Sequence, residues 1–476
     1  MTRVLLVGVG PMPRPDAMRV YATGLRLETF LKALVHERCE IALAEFSFGG
    51  ANIEFVPLKS ECIQHHVQLP AELDRAIPFL DTLILEFKPD CIVALTDVGA
   101  LAVCGTNYNG PIHVDYFGHP MAERQQQGAA HRSDAALAEQ WFSVLPVLLR
   151  ADQFSVCSHD QRLALMGELG VAGRLNKETI KHLSFIHIVP PVLPFDRPLV
   201  LSKPDLLTDK AIPATARIIL CSGGYNTWVD EETLFHGIEH ALALDSNLHF
   251  VSTGGKIQGH VENIYERFEN RVRNSKFADR MHLLGWVREE DFENILMLSH
   301  VGVNCDVQSF EGEVGCRNRL YGWLWAGVRV VTTVTSEPTR DLVDQGFATE
   351  VPFNDRWSLA KAIVAQAALG RRDDLPEFQD KIATLWGWEN FFSWLLKWLE
   401  EPRPAPDRKT GKVKNPLADL QRQFLEFATG ARTQNESVRD AKDLANRLAG
   451  SRAFQLYAAI HPDVRELVEK LSSEMD

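Results

Sequence analysis

The chain has no CxxC pair, and its eight cysteines stand apart. That excludes a zinc ribbon or a disulfide-stapled scaffold. Cys91, Cys157, Cys221 and Cys305 lie within apolar, strand-like runs and read as reduced core residues. No uninterrupted apolar run reaches about 18 residues, so no segment is expected to span a bilayer. The opening MTRVLLVGVG is too short, and too soon broken by glycine and proline, to read as a signal peptide, which makes the cytoplasm the expected address. Positive charge is scarce: 50 Lys and Arg against 63 Asp and Glu leave a net −13. A nucleic-acid partner is therefore not expected, whereas a small anion in a local basic pocket is compatible with this balance. The first loop has neither GxGxxG nor a lysine placed for a P-loop. There is no Asp-x-Asp pair to hold magnesium, and no repeat at solenoid spacing.

What is present is a 476-residue chain of ordinary globular composition, 45% hydrophobic, long enough for two domains and an appendage. Apolar strand-like runs alternate with helical periodicity. In the first half the strands fall at Arg3 to Val9, Glu40 to Phe46, Cys91 to Leu95, Pro111 to Tyr116 and Gln153 to Cys157, with a helix over Leu25 to Arg38 and another ending at Phe87. Residues 190–216 carry six prolines and read as a linker. The alternation then restarts: strands at Arg217 to Cys221, Leu248 to Ser252, Met281 to Leu284 and Val301 to Asn304, helices at Glu231 to Ala243 and Asp291 to Leu298. Repeated βα units predict an α/β fold of two doubly wound, Rossmann-like domains facing across a cleft. The expected boundaries are 1–195, 196–383, a crossover helix at 384–402 leading back to the first domain, and a helical extension at 415–476. The aromatic 384–401 segment also admits a membrane-interface reading, although it has one lysine after its start and such helices usually carry more cations. Residues 402–416, rich in Pro, Lys and Arg, read as flexible.

The richest segment is SFEGEVGCRNRLYGWLWAGVRVVTT, 309–333. An acidic loop opens a helix that carries Arg317 and Arg319 in its first turns, and a β-branched strand follows. Free N–H groups, the helix dipole and two guanidiniums together make a place for a diphosphate. Glu311 and Glu313 beside it can accept hydrogen bonds from sugar hydroxyls. An equally simple reading pairs these arginines with Glu311 or Glu313 in salt bridges.

Five further segments join this one in order: TGLRLETFLKAL (23–34), LLRADQFSVCSHDQRLALMGELGVAGRLN (148–176), CSGGYNTWVDEETL (221–234), FVSTGGK (250–256) and HLLGWVREEDFENIL (282–296). Over residues 1 to about 401 the chain resembles the GT-B glycosyltransferases, in particular the retaining group called family 4. The donor-site segment resembles a subgroup with Glu-x5-Arg-x-Arg followed by Trp-Ala-Gly, matched by Glu311, Arg317 and Arg319. The chain departs from the pattern at Gly322, where the family has an acid that binds the donor ribose, and in SGGYNTW, which lacks the family's Arg and Lys.

The resemblance implies a retaining, metal-independent glycosyltransferase with a nucleotide-sugar donor, no cofactor, and a glycan, lipid-linked or protein acceptor. His119, which resembles the family's cleft histidine, forms the expected catalytic group with Glu311 and Arg319; in the segment PIHVDYFGHPMAE (111–123) Asp115 and Glu123 are runners-up, and His113 reads as a buried strand residue. Donor binding is expected from Gly223, Gly224, Tyr225, Asn226, Lys256, Trp286, Val287, Glu313, Arg317 and Asn318. Arg14, Arg19, Gly24 and Arg26 are expected at the acceptor or phosphate loop. Peripheral contact with the inner face of the membrane, and a protein partner or second copy docked through the C-terminal helices, complete the expectations. Two other readings stay open. One is a degenerate GT-B protein that binds a nucleotide or glycan, or scaffolds a complex, without turnover. The other is an epimerase, for which the required set of general acids and bases is not assembled in the sequence.

Overall fold

A computed structural model of the chain describes residues 1–409 except 15, 16, 18, 48–52, 57–60, 193–198, 258–260 and 262; the extension expected at 415–476 lies outside the described residues. The first lobe runs β1 (Arg3–Val9), α1 (Ala22–His36), β2 (Glu40–Phe46), β3 (Glu54–Phe55), β4 (Ile63–Leu69), α2 (Leu73–Phe87), β5 (Cys91–Leu95), α3 (Thr96–Cys104), β6 (Ile112–Tyr116), α4 (Pro120–His131), α5 (Ala135–Arg150), β7 (Gln153–Val156), α6 (His159–Val171) and β8 (Ile186–Ile188). The second runs β9 (Arg217–Cys221), α7 (Glu231–Leu244), β10 (Leu248–Thr253), α8 (Asn263–Arg273), β11 (Met281–Gly285), α9 (Glu289–Leu298), β12 (Val301–Asn304), α10 (Phe310–Val314), α11 (Asn318–Trp325), β13 (Arg329–Thr332), α12 (Glu337–Asp344), β14 (Ala348–Glu350) and α13 (Arg356–Ala368). Then come α14 (Leu375–Trp386), α15 (Glu389–Glu400) and α16 (Pro406–Lys409).

The strands form two sheets, ordered β3-β4-β2-β1-β5-β6-β7-β8 and β11-β10-β9-β12-β13-β14. All pairings are parallel except β3 with β4. The continuous apolar runs of the sequence are the signature of parallel strands covered on both faces. Within β1 the period of two sends Leu5, Val7 and Val9 into one core and Val4 and Leu6 into another. That second core continues into the other lobe through Val189 and the linker residues Val192, Leu207 and Ile212 to Leu220, Trp323 and Val330. The order of each sheet reverses once, between β1 and β5 and between β9 and β12. These are the positions where α/β sheets open a crevice at the strands' carboxyl ends.

Two sequence expectations need correction here. The aromatic stretch at 384–401 is not one helix: Gly387 is extended at φ −60, ψ 140 and separates α14 from α15. Helix α15 turns its aromatics inward onto the first lobe rather than toward a membrane. Phe392 packs edge-on against Phe30 of α1 at 4.8 Å, and Trp394 stacks on His187 at 3.9 Å. Residues 402–409 are not loose either. Asp407 takes the buried Arg174 guanidinium at 2.6 Å, Arg408 reaches Asp152 at 2.6 Å, and the Ala405 N–H donates to Asp152 at 2.7 Å. Asp407 and Arg408 thus find opposite charges in the first lobe, whereas the exposed Arg403 pairs with the neighbouring Glu401. No described helix is long and apolar enough to cross a membrane.

Candidate functional site

The carboxyl ends of the two sheets face each other. The Glu289 N–H donates to the Ala17 carbonyl at 3.1 Å, and Gln126 Nε2 donates to the Thr227 carbonyl at 3.1 Å. Tyr21 meets Trp286 edge-on at 5.2 Å, and α10 of the second lobe packs on α4 and α6 of the first. Between these contacts lies a mainly apolar cleft lined by Pro13, Leu25, Gly223, Trp286, Val287 and Gly322, among others.

On the second-lobe wall, β9 ends in the Gly223–Gly224 turn. Gly223 adopts φ +91, a conformation open to glycine at little cost, and its N–H donates to the Thr253 carbonyl at 3.0 Å. Arg319, the second residue of α11, donates to the Gly224 carbonyl at 3.3 Å and has no carboxylate partner among the described residues. Its positive charge at the mouth of a helix beside two glycines is therefore available to an anion. Asn318 opens the same helix and is half-buried. Trp286 and Val287 line the cleft, with the indole N–H donating to the Lys256 carbonyl at 3.0 Å.

Several expected donor contacts are placed otherwise. Arg317 is buried and donates to Asp306 at 2.7 Å and to both oxygens of Glu311 at 3.0 and 2.8 Å. Burial alone would lower its pKa, but the carboxylates of Asp306 and Glu311 outweigh that and hold it above the usual range. The salt-bridge reading thus applies to Arg317, in buried form, and the guanidinium is not positioned for a diphosphate. Glu311, also buried, is committed to Arg317, so a sugar hydroxyl would have to share it. Glu313 is exposed on α10, which itself replaces the loop expected before the helix. The Lys256 ammonium is drawn to Glu266 on α8 at 2.6 Å. Tyr225 is a core residue whose hydroxyl meets Ser252 at 3.0 Å, and Asn226 is buried, accepting from the Thr227 N–H at 2.8 Å.

On the first-lobe wall the same sorting occurs. Arg26 is buried: it forks onto Asp115 at 2.7 and 2.8 Å and donates to the carbonyls of Val189 and Pro190. It ties α1 to β6 and to the start of the linker, so Arg26 and Asp115 hold the scaffold and do not line a phosphate site. Gly24 is required because a Cβ would run into the Pro11 carbonyl of the first loop. Arg14 faces the buried Glu45 at 3.7 Å, Arg19 is exposed, and His113 is fully buried as expected.

His119 leaves β6 and caps α4, its Nδ1 accepting from the Ala122 N–H at 3.3 Å. Its Nε2 lies 3.5 Å from Glu168. Burial lowers the histidine pKa and raises that of Glu168 to about 7. Glu123, one turn into α4, is pushed up to about 8 by burial first and then by Glu311 across the cleft and Asp97. Glu168, Asp306 and Thr96 were not singled out in the sequence. The signal for the last two is a polar residue just past the end of a buried apolar strand (CIVAL-T-D, VGVN-C-D). Nothing in the local pattern marks Glu168, which reaches His119 only through the packing of α6.

No model of a known protein family matches the chain, and no curated protein is similar to it at sequence level. Solved structures are similar. A sucrose-phosphate synthase from Thermosynechococcus elongatus superimposes with a TM-score of 0.63 at 13% identity, covering 84% of this chain and 99% of that one. An E. coli structure described as trehalose-6-phosphate bound with UDP-2-fluoro glucose gives 0.60 at 15%, covering 85% and 100%. An α,α-trehalose-phosphate synthase (UDP-forming) from Burkholderia xenovorans in complex with glucose-6-phosphate gives 0.57 at 12%, covering 83% and 99%. With its two facing Rossmann-like sheets and helices that return to the first lobe, the chain has the GT-B fold.

Proposed function

We propose that the chain is a glycosyltransferase that moves a sugar from a nucleotide-sugar donor to an acceptor hydroxyl. The observation that carries this reading is Arg319 beside Gly223 and Gly224, at a helix N-terminus and without a carboxylate partner among the described residues. Fixed positive charge aimed where a diphosphate leaves is what such a reaction needs. The structural neighbours supply the donor class, one being bound with a UDP-sugar and another named as UDP-forming. Retention, independence of metal, and a glycan, lipid-linked or protein acceptor follow from the family 4 resemblance. In this reading Arg319 and the amides of the glycine turn receive the leaving diphosphate, Trp286 and Val287 bound the nucleoside end, and His119 with Glu123 lines the sugar end.

A second reading, binding without turnover, is favoured by specific residues: Gly322 offers no carboxylate to a ribose, and Arg317 and Glu311 are spent on each other. One experiment separates the two. UDP-, GDP- and dTDP-sugars are screened by calorimetry and for slow hydrolysis. Binding with release of nucleoside diphosphate supports the transferase, binding without release supports the degenerate protein, and no binding to any of them defeats the transferase and favours a scaffold.

A further inference from the structure

Three helices wall the cavity in the cleft, and each presents one face to it. Helix α9 contributes Glu289, Phe292, Glu293 and Leu296, spaced i, i+3, i+4 and i+7. Helix α1 contributes Leu25 and Glu28, and α11 contributes Gly322 and Trp325. The three glutamates are half-buried, so a ligand in the cavity can reach them. The described lining residues include no lysine or arginine. Cations stand around the cavity instead. Lys32 lies 3.6 Å from Glu28, Arg288 lies 3.4 Å from Asp291, and Arg19 is exposed on the first loop. Arg319 is at the glycine turn, where Gly223 joins the lining.

This distribution of charge gives a nucleotide a direction. Its diphosphate is repelled by the carboxylates and drawn to Arg319 and the turn, which leaves the nucleoside for the cavity. A nucleoside brings apolar ring faces, which suit Leu25, Phe292 and Trp325, and ribose hydroxyls, which donate hydrogen bonds. Gly322 has no side chain to accept them, so α11 leaves that to its neighbours. A carboxylate has about four lone-pair sites on its two oxygens, so it can accept from a hydroxyl while it also serves a protein partner. Glu289, in the first turn of α9, is accounted for by the helix dipole. Glu293 and Glu28 lie beyond the first turns of their helices, one in the wall of each lobe.

We propose that Glu293 and Glu28 accept the 2′- and 3′-hydroxyls of the donor's ribose, so that the ribose is gripped by both lobes at once. This inference rests on the nucleotide-sugar reading above. The test is calorimetry on the full chain with whichever of UDP and GDP it binds, beside the 2′-deoxy and 3′-deoxy forms of the same nucleotide. Each missing hydroxyl is expected to cost the parent roughly tenfold in Kd. Glu293→Ala and Glu28→Ala should each weaken the ribonucleotide by roughly tenfold and shrink at least one of the two deoxy penalties, with an unchanged Tm showing that the fold is kept. Glu290→Ala, on α9 but turned to Lys203 at 3.3 Å and outside the cavity lining, should leave both penalties intact. Deoxynucleotides that bind the parent as tightly as the ribonucleotide, or penalties that survive in both cavity variants, would overturn the proposal. So would variants that change the preference between UDP and GDP while leaving the deoxy penalties alone, since the carboxylates would then read the base. Binding of dTDP alone would keep a donor but sink the ribose contact. Failure of every nucleotide to bind would remove the donor reading first and this inference with it.

Discussion

Arg317 and Arg319 are two residues apart in sequence and opposite in situation. Arg317 neutralises two buried carboxylates, whereas Arg319 keeps its charge for the cleft. Their alanine variants should therefore fail differently. Arg319→Ala should fold normally and lose on the order of 10²-fold in donor turnover through lost leaving-group stabilisation. Normal kinetics in a folded variant would remove Arg319 from the site. Arg317→Ala leaves Asp306 and Glu311 buried and uncompensated and should cost about 3–5 kcal/mol in urea unfolding. Glu123 gives a pH signature. Burial raises its folded pKa from the ordinary 4.5 to about 8, so between these values the folded chain holds a proton that the unfolded chain has released. Its contribution is complete below the unfolded value and is lost as the pH rises through about 8. Glu123→Gln should thus become progressively more stable relative to the parent on going from about pH 5 to pH 9, followed by denaturation at fixed ionic strength; a pH-independent difference would contradict the shift.

At the scale of elements, strands were more legible than helices. The runs at Arg3–Val9, Glu40–Phe46, Cys91–Leu95 and Val301–Asn304 coincide with β1, β2, β5 and β12, because strands buried on both faces must be continuously apolar. Strand β4, IQHHVQL, was not legible because His65, His66 and the glutamines break the run; its apolar positions are buried while His66 instead approaches Glu45. The break at Gly387 was likewise hidden by aromatic periodicity on both sides. That break lets α15 deliver Phe392, fully buried, to α1. Phe392→Ala should cost about 3–5 kcal/mol of stability by urea titration, the range for a large aromatic removed from a core that cannot collapse. A loss well under that would mean that α15 is dispensable to the first lobe.

At the scale of the whole molecule, one apolar cluster runs from β1 and α1 through the linker to α11, α14 and α15. Two sheets therefore do not make two independent folding units. Calorimetry should show a single cooperative transition, and a nucleoside diphosphate at about a hundred times its Kd should raise the stability of that one transition by about 2.7 kcal/mol. Two resolved transitions, only one of them moved by nucleotide, would show that the shared core does not couple the lobes.

The sequence by itself determined the two alternating α/β halves, the cleft between them and the helix start that carries Arg319. These depend on local periodicity and on residues close together in the chain. It also singled out Gly24, Gly223 and Gly224 as binding positions, but the reason Gly24 must be glycine, a Cβ that would run into the Pro11 carbonyl, is visible only in the fold. Only the tertiary structure decided which charges are used internally. Arg26 meets Asp115 across 89 residues, and Arg174 meets Asp407 across 233. An isolated arginine in sequence looks the same whether a distant carboxylate will cancel it or a ligand will. Coulomb pairing is a property of positions in space, and the fold alone assigns those positions.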